Sequence, residues 1–73
     1  MSVFSEKLYT LFSRSNMTVT ALAKLSGVER SYLQKLLSGT RKPKPEVVVR
    51  LADALMLPPE ERHNLMKSFS ITQ

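Results

Sequence analysis

Apolar residues recur along this chain at intervals of three and four positions, and no stretch alternates between apolar and polar residues over the length of a strand. That period is typical of amphipathic helices and argues against strands. Five such segments follow one another, at about 3–14, 18–26 and 30–38, then after Pro45 and again after Pro58. The pattern therefore predicts an all-α domain of five helices.

Residues typical of helix boundaries separate these segments. Thr18 offers a hydroxyl to the free N–H groups of the second helix, Gly27 permits the positive φ of the turn that ends it, and the third helix stops at Gly39. Pro45 suits the first turn of the fourth helix, and Pro58-Pro59 marks the start of the fifth ahead of two acids that suit a helix N-terminus. The apolar positions expected to meet in the core are Phe4, Leu8, Leu11, Phe12, Leu22, Leu25, Leu33, Leu36, Val48, Leu51, Ala52, Leu55, Met56, Leu65, Met66 and Phe69.

Length and composition restrict the chain further. Its 73 residues support one core and hence a single domain over 1–73, with Ser70 to Gln73 as the start of a linker or tail. There is no cysteine, and the one histidine, His63, has no companion ligands, so no disulfide, metal site or cofactor is predicted. Glu6 and Lys7 precede any apolar run, unlike a signal peptide, and no run reaches the roughly 18 apolar residues of a membrane span. We expect a cytoplasmic protein that does not bind a membrane.

The net charge of +5 is concentrated in one segment. Five bases and no acid lie between Arg30 and Lys44, whereas the remaining six bases are matched by six acids. A concentrated basic segment is typical of a surface that meets polyphosphate. On charge alone, a solvated basic loop explains it equally well.

The segment from Val19 to Ser38 carries the functional motif. Two short helices that cross closely need a small residue at the crossing and a turn that tolerates an unusual backbone, and Ala23 and Gly27 meet these two needs. Leu33 and Leu36 then hold the second helix of the pair against the body of the domain. Its outer face presents only hydrogen-bonding residues, which are Arg30, Ser31, Gln34, Lys35 and Ser38. A helix of this width fits the major groove of DNA, where Arg bonds guanine, Gln bonds adenine and Ser bonds either.

The chain resembles the Cro and phage-repressor family, also called the xenobiotic-response-element type of helix-turn-helix. The resemblance is carried by the residues from Thr18 to Gly39, by Arg41-Lys42-Pro43, and by Ala52 and Leu55 of the fourth helix. It implies a lambda-repressor-like fold in which the second and third helices form the helix-turn-helix. It also implies that the third helix lies in the major groove of duplex DNA while the second crosses the sugar-phosphate backbone.

Carried over position by position, the resemblance implies two sets of DNA contacts. Base edges are met by Arg30, Ser31, Gln34 and Lys35. The sugar-phosphate backbone is met by Thr18, Thr20, Ser38, Thr40, Arg41, Lys42 and Lys44. The resemblance further implies a transcriptional regulator, typically a repressor, that binds a palindromic operator on the nucleoid as a homodimer. A sensor domain following Gln73 would carry the recognition of any effector.

Four positions depart from the family pattern. Val19 replaces a common glutamine and loses a polar contact. Glu29 stands where serine or threonine usually caps the third helix, and DNA repels its charge unless it pairs with Arg30 or with a cytosine amino group. Lys44, at the N-cap of the fourth helix, opposes the helix dipole, so it is either a phosphate clamp or a merely tolerated exposed lysine. Leu37 belongs either to the core or to a partner contact.

No arrangement of nucleophiles, acids or metal ligands indicates an enzyme. The rival interpretation is a protein-binding module on the same scaffold, such as an antitoxin or anti-regulator whose partner docks on the fourth and fifth helices. The acid-free face from Arg30 to Lys44 favours DNA, because protein interfaces prefer aromatic and apolar anchors that this face lacks. For a dimer surface, the fifth helix has the most apolar material in Leu65, Met66, Phe69 and Ile71, unless those residues close the core.

Overall fold

Five α-helices in succession make up the part of the chain that a computed structural model describes, residues 3–72, with side chains described for 3–70. Their bounds are α1 (Val3–Ser15), α2 (Val19–Ser26), α3 (Arg30–Ser38), α4 (Pro45–Ala54) and α5 (Pro59–Thr72). Because no strand occurs in this part of the chain, the predicted all-α fold of five helices is confirmed. None of these helices is long and apolar enough to cross a membrane.

The ends of the helices agree with the residues predicted to set them. The Thr18 hydroxyl oxygen accepts a hydrogen bond from the Ala21 N–H at 3.0 Å, which caps α2. Gly27 and Gly39 follow α2 and α3 with φ of +71° and +82°, a left-handed backbone in which an L side chain is strained. Pro45 begins α4, where its missing N–H leaves no helical hydrogen bond unmade.

A single hydrophobic core connects the helices. α1 packs against α3 and α5, α2 packs against α3 and α4, and α4 also packs against α5. The rings of Phe4 and Phe69 meet edge to face with centroids 6.4 Å apart, which joins α1 to α5. The buried apolar side chains are Phe4, Leu8, Leu11, Leu22, Val28, Leu33, Leu36, Leu37, Val47, Val48, Leu51, Ala52, Leu55, Leu65 and Phe69. Leu37 therefore belongs to the core rather than to a partner contact, and Phe12 and Met66 pack against its edge.

α2 turns a different face to the core from the one the sequence predicts. Leu25 is 65% exposed, whereas Ser26 is buried together with Leu22. Leu22 and Ser26 lie four residues apart on one side of the helix, which turns Leu25 outward. The Ser26 hydroxyl donates to the Leu22 carbonyl at 2.7 Å, so its burial leaves no hydrogen bond unmade. The prediction that Leu25 faces the core is wrong, because a small serine with a local partner takes that position.

Met56 is a second error in the predicted core, since its side chain is 84% exposed. It follows α4 with a φ of +54°, at the position that glycine usually fills beyond a helix C-terminus. Its N–H donates to the Asp53 carbonyl at 3.0 Å, and the Leu57 N–H donates to the Ala52 carbonyl at 3.2 Å. These two bonds close α4 through the backbone alone, and the left-handed residue directs its side chain to solvent.

Two ion pairs fasten α5 to its neighbours. Arg14 of α1 donates to Glu61 at 2.7 Å, and Arg62 donates to Asp53 of α4 at 2.5 Å. Surface pairs of this kind contribute about 0–1 kcal/mol each. The helix continues through Thr72, so it includes most of the segment at which a linker or tail is expected to start. Gln73 and the side chain of Ile71 lie outside the described residues.

Candidate nucleic-acid interface

The turn between α2 and α3 is set by its backbone. Gly27 adopts the left-handed conformation, and its N–H donates to the Ala23 carbonyl at 2.9 Å. A Cβ at this glycine would meet no heavy atom within 4 Å, so glycine is needed here for its φ and not for space. Val28 is buried directly after it, with its N–H on the Ser26 hydroxyl oxygen at 3.3 Å. The turn therefore fixes the direction in which α3 leaves α2.

α3 buries one face and leaves the other to solvent. Leu33, Leu36 and Leu37 are buried, and they hold the helix on the core. The opposite face consists of Arg30, Ser31, Gln34, Lys35 and Ser38, which are all exposed. The structure thus brings the four predicted base-contact residues together on one face of a helix whose back is fixed by leucines.

The residues predicted to meet the sugar-phosphate backbone flank α3 in two groups. Thr18 and Thr20 lie at the start of α2, which packs against α3, and the others lie at the end of α3 and in the loop that leads to α4. All of them are exposed, namely Thr18, Thr20, Ser38, Thr40, Arg41, Lys42 and Lys44. The predicted contact residues are therefore all accessible to a ligand.

The basic side chains of this region have no acidic partners. The two ion pairs found among the described residues both involve α5 and lie outside the segment from Arg30 to Lys44. Within the described chain, no carboxylate lies within 4.0 Å of the charged groups of Arg30, Lys35, Arg41, Lys42 or Lys44, and all five side chains are exposed. Their positive charge is available to an external anion, and nothing on the protein has to be displaced first.

The loop between α3 and α4 is held in place by two residues. The Tyr32 hydroxyl donates to the Lys42 carbonyl at 3.0 Å, and Pro43 is buried. Lys42 and Lys44, on either side of this proline, are exposed. Sequence reasoning did not find this role for Tyr32, because the contact joins residues ten positions apart and depends on how the loop returns to the helix. The loop thus presents its lysines from a fixed backbone.

The hydroxyl groups of the interface differ in whether their hydrogen is free to donate to a ligand. Thr18 accepts the Ala21 N–H, and its own hydroxyl hydrogen remains free to donate. Ser38 donates to the Lys35 carbonyl at 3.1 Å, and its oxygen lies 3.1 Å from the Thr40 hydroxyl. Ser38 and Thr40 therefore help to close the C-terminal end of α3, whereas Thr18 is ready to donate to a phosphate.

Glu29 occupies the N-cap of α3 but does not act as a cap. Its side chain accepts no backbone N–H of the helix, and its carboxylate instead accepts a hydrogen bond from the Ser31 hydroxyl. It forms no ion pair with Arg30 within the described chain. Of the two pairings expected for Glu29 from the sequence, the one with Arg30 is therefore absent from the described residues.

Lys44 occupies the N-cap of α4, as predicted. Its backbone is extended, at φ −103° and ψ 148°, and its carbonyl accepts the N–H groups of Val47 and Val48 at 3.0 and 3.1 Å. Its side chain makes no capping hydrogen bond. A cation therefore stands at the positive end of a helix, an arrangement that an anion between them would stabilise.

Other parts of the surface offer different chemistry. Among the described side chains, no group of three or more His, Cys, Asp or Glu residues could hold a metal ion, and His63 is exposed on α5. A cleft of about 240 Å³ lies where α1 ends near the α4–α5 connection. Its lining includes Leu11, Arg14, Met56 and Glu61. None of its lining residues belongs to α2 or α3.

Two short helices joined by a left-handed glycine, the second of which exposes an unpaired basic face, define a helix-turn-helix module of the DNA-binding class. Comparison with known families agrees, because the family model described as a helix-turn-helix domain matches residues 4–65. The chain belongs to this family, and the resemblance to Cro-type regulators drawn from the sequence is confirmed. No curated protein and no solved structure matched the chain.

Proposed function

We propose that this protein is a cytoplasmic transcriptional regulator that binds a specific sequence in duplex DNA and represses by occupying it. The observation that carries the proposal is the exposed face of α3, which has no acid and rests on buried Leu33 and Leu36. A rigid helix with a polar outer row is what reading of the major groove requires. The unpaired cations beside it supply the attraction to phosphate.

Base recognition is assigned to the exposed row on α3. Arg30 pairs with the two acceptors of a guanine, and Gln34 with the donor and acceptor of an adenine. Lys35 contacts a neighbouring base edge or, at the rim of the groove, a phosphate. Ser31 gives its hydroxyl hydrogen to Glu29, so its oxygen contacts a base edge as an acceptor. Buried leucines fix the helix from behind, so its backbone needs no ordering on binding, and only the exposed side chains lose rotamer freedom.

Backbone contacts are assigned to both flanks of α3. The free hydroxyl hydrogen of Thr18, together with Thr20, donates to a phosphate at the start of α2. On the other flank Arg41, Lys42 and Lys44 meet phosphates from the loop that Tyr32 and Pro43 hold. Lys44 and the N-terminal turn of α4 clamp one phosphate between them, which relieves the unfavourable charge of a lysine at an N-cap.

The protein binds a palindromic operator as two copies, with their recognition helices about 34 Å apart along one side of the duplex. Leu65 and Phe69 are buried in the core, so they do not supply a dimer surface. Met66 remains partly accessible beside a shallow groove that His63 and Lys67 also line. This small apolar area supports a dimer that assembles on DNA rather than one that is tightly held without it.

A protein-binding module on the same fold is the second candidate, and Val49 and Met56 are the observations that favour it. Their side chains are 45% and 84% exposed, in and after the α4 helix on which a protein partner would dock. Isolated exposed apolar residues are ordinary on a protein surface, however. On the α3 side, five cations without an acid between them adjoin a polar helix face, and this combination favours DNA as the ligand.

The test is selection of bound sequences from random duplex DNA by the purified protein. We expect a short consensus in each half of a palindrome, with half-site centres separated by about one helical turn. Enrichment of no sequence, while a protein partner is bound through α4 and α5, would support the second candidate instead. A stoichiometry of two chains per selected duplex is the accompanying expectation for the dimer.

A further inference from the structure

An acidic side chain adjoins the exposed face of α3 in an otherwise basic surface. Glu29 directly precedes the helix, is exposed, and lies next in the chain to Arg30. A carboxylate there repels every phosphate that approaches, so it weakens the non-specific attraction on which binding to any duplex depends. A residue that opposes binding at the interface calls for a compensating contact in the complex.

Structure accounts for Glu29 only through the helix dipole, since a carboxylate at the N-terminus of α3 contributes about 0.3–1 kcal/mol to stability. It does not cap α3, since its side chain accepts no hydrogen bond from a backbone N–H of the helix. It pairs with no cation among the described residues, and as an exposed side chain it contributes no packing in the core. Among the described residues, the one polar contact of the Glu29 side chain is the hydrogen bond that its carboxylate accepts from the Ser31 hydroxyl.

That hydrogen bond determines what the pair can recognise. A serine hydroxyl has a single hydrogen, and Ser31 gives it to Glu29. Lone pairs alone remain on the Ser31 oxygen, and the ionised carboxylate also has only lone pairs to offer. The two side chains therefore form a patch of acceptors at the N-terminal end of the recognition face, and such a patch binds a hydrogen-bond donor.

In the major groove, the donors of the bases are the exocyclic amino groups of cytosine and adenine. The adenine amino group lies beside the N7 acceptor, which repels a carboxylate, whereas the cytosine amino group lies beside a C–H. On this basis, and resting on the proposed function, we propose that Glu29, oriented by Ser31, selects a cytosine in each half-site through its amino group.

The proposal predicts opposite effects on two quantities that a purely structural residue would not separate. Removal of the carboxylate lowers discrimination between cognate and altered sites, and at the same time raises affinity for unrelated duplex by removing a repulsive charge. Removal of a residue that only stabilises α3 would instead lower the free energy of unfolding and weaken binding to all sequences together.

The experiment compares the wild-type protein with Glu29→Gln, Glu29→Ala and Ser31→Ala on selected duplexes. For the wild type, replacement of the cytosine by thymine, or by N4-methylcytosine, whose methyl group blocks the amino hydrogen facing the major groove, is expected to cost roughly tenfold or more in affinity. Glu29→Ala should bind the cytosine and N4-methylcytosine duplexes equally, and unrelated duplex more tightly than the wild type does. Glu29→Gln should shift the preference towards adenine, and Ser31→Ala should retain only part of the discrimination.

Two outcomes separate the inference from the proposed function. If wild-type protein selects an operator but Glu29→Ala keeps the same base preferences at every position, the inference is overturned while DNA reading stands. If wild-type protein selects no sequence at all, the proposed function fails first. Urea unfolding of each variant, with a loss of at most about 1 kcal/mol expected from the helix dipole, keeps a loss of fold from imitating a loss of discrimination.

Discussion

The arginines on two sides of this small domain differ in whether a carboxylate pairs with them. On the side where α5 meets α1 and α4, Arg14 and Arg62 donate to the carboxylates of Glu61 and Asp53. On the side formed by α3 and the following loop, Arg30 and Arg41 have no carboxylate partner among the described residues. Both kinds of arginine are at the surface, so burial does not explain the difference.

The difference shows that the position of charge is more informative than its total. An arginine paired with a carboxylate contributes a little to stability and presents little net field to a ligand. Unpaired cations next to a polar helix face add their fields and attract polyphosphate, and each contact releases counterions from DNA. Under the proposed function, the ion pairs of Arg14 and Arg62 serve the fold and the unpaired cations of α3 and the following loop serve DNA binding, so each set can be disturbed separately.

The largest effect is expected from a substitution in the turn between α2 and α3, because that turn positions the side of the domain with unpaired cations. Gly27→Val places a β-branched residue at a φ of +71° and should lower the free energy of unfolding by about 2–3 kcal/mol. Gly27→Asn is the matched control, because asparagine tolerates the left-handed region. A Cβ has free space here, so the difference between the two variants reports backbone strain. Equal midpoints in urea for both variants would contradict the role of this glycine.

A smaller effect is expected for the base-reading residues. Arg30→Ala or Gln34→Ala should relax preference at one or two base pairs by about 1–3 kcal/mol, because a bidentate contact is lost. The measurement is competition binding with single-base operator variants. Uniform weakening on every sequence, with preferences kept, would reassign the residue to the sugar-phosphate backbone.

The phosphate clamp at α4 should have a more modest effect. Lys44→Ala is expected to lower the slope of log affinity against log salt by about 0.9, the value of one phosphate contact. The stability of the free protein should not fall, since a lysine at an N-cap opposes the helix dipole. If affinity and slope are both unchanged, Lys44 is merely a tolerated surface residue.

The smallest effect is expected from a substitution on the side where ion pairs join α5 to its neighbours. Arg14→Gln removes the ion pair with Glu61 and should cost at most about 1 kcal/mol of folding free energy, with DNA affinity unchanged. Thermal unfolding and operator binding of the same preparation measure the two quantities. A loss of DNA affinity comparable to that of a variant on the α3 side would break the distinction between the two sides.

The fold could be predicted where local chemistry decides it. The leucine spacing of α3, the capping hydroxyl of Thr18 and the left-handed glycines each act within a few residues, so they are visible in the sequence. The sequence does not show that Ser26 rather than Leu25 is buried, because this depends on the face of α2 that meets α4. Met56 was missed because a non-glycine residue in a left-handed cap leaves no compositional signal.

The candidate site was predictable in its membership but not in its internal contacts. Periodicity alone predicts that the polar row of α3 is exposed, and the structure shows that row exposed. The hydrogen bond from Tyr32 to the Lys42 carbonyl depends on the path of a loop, and the one from Ser31 to Glu29 depends on side-chain rotamers. Neither property follows from spacing along the chain.

The most direct test of the central claim is the salt dependence of duplex binding for two matched variants. Arg41→Gln removes an unpaired cation, and Arg62→Gln removes a paired one. We predict that the slope of log affinity against log salt falls by about 0.9 for Arg41→Gln and stays at the wild-type value for Arg62→Gln. Equal slopes for all three proteins, or an equal fall in both variants, would contradict the assignment of the α3 side to DNA.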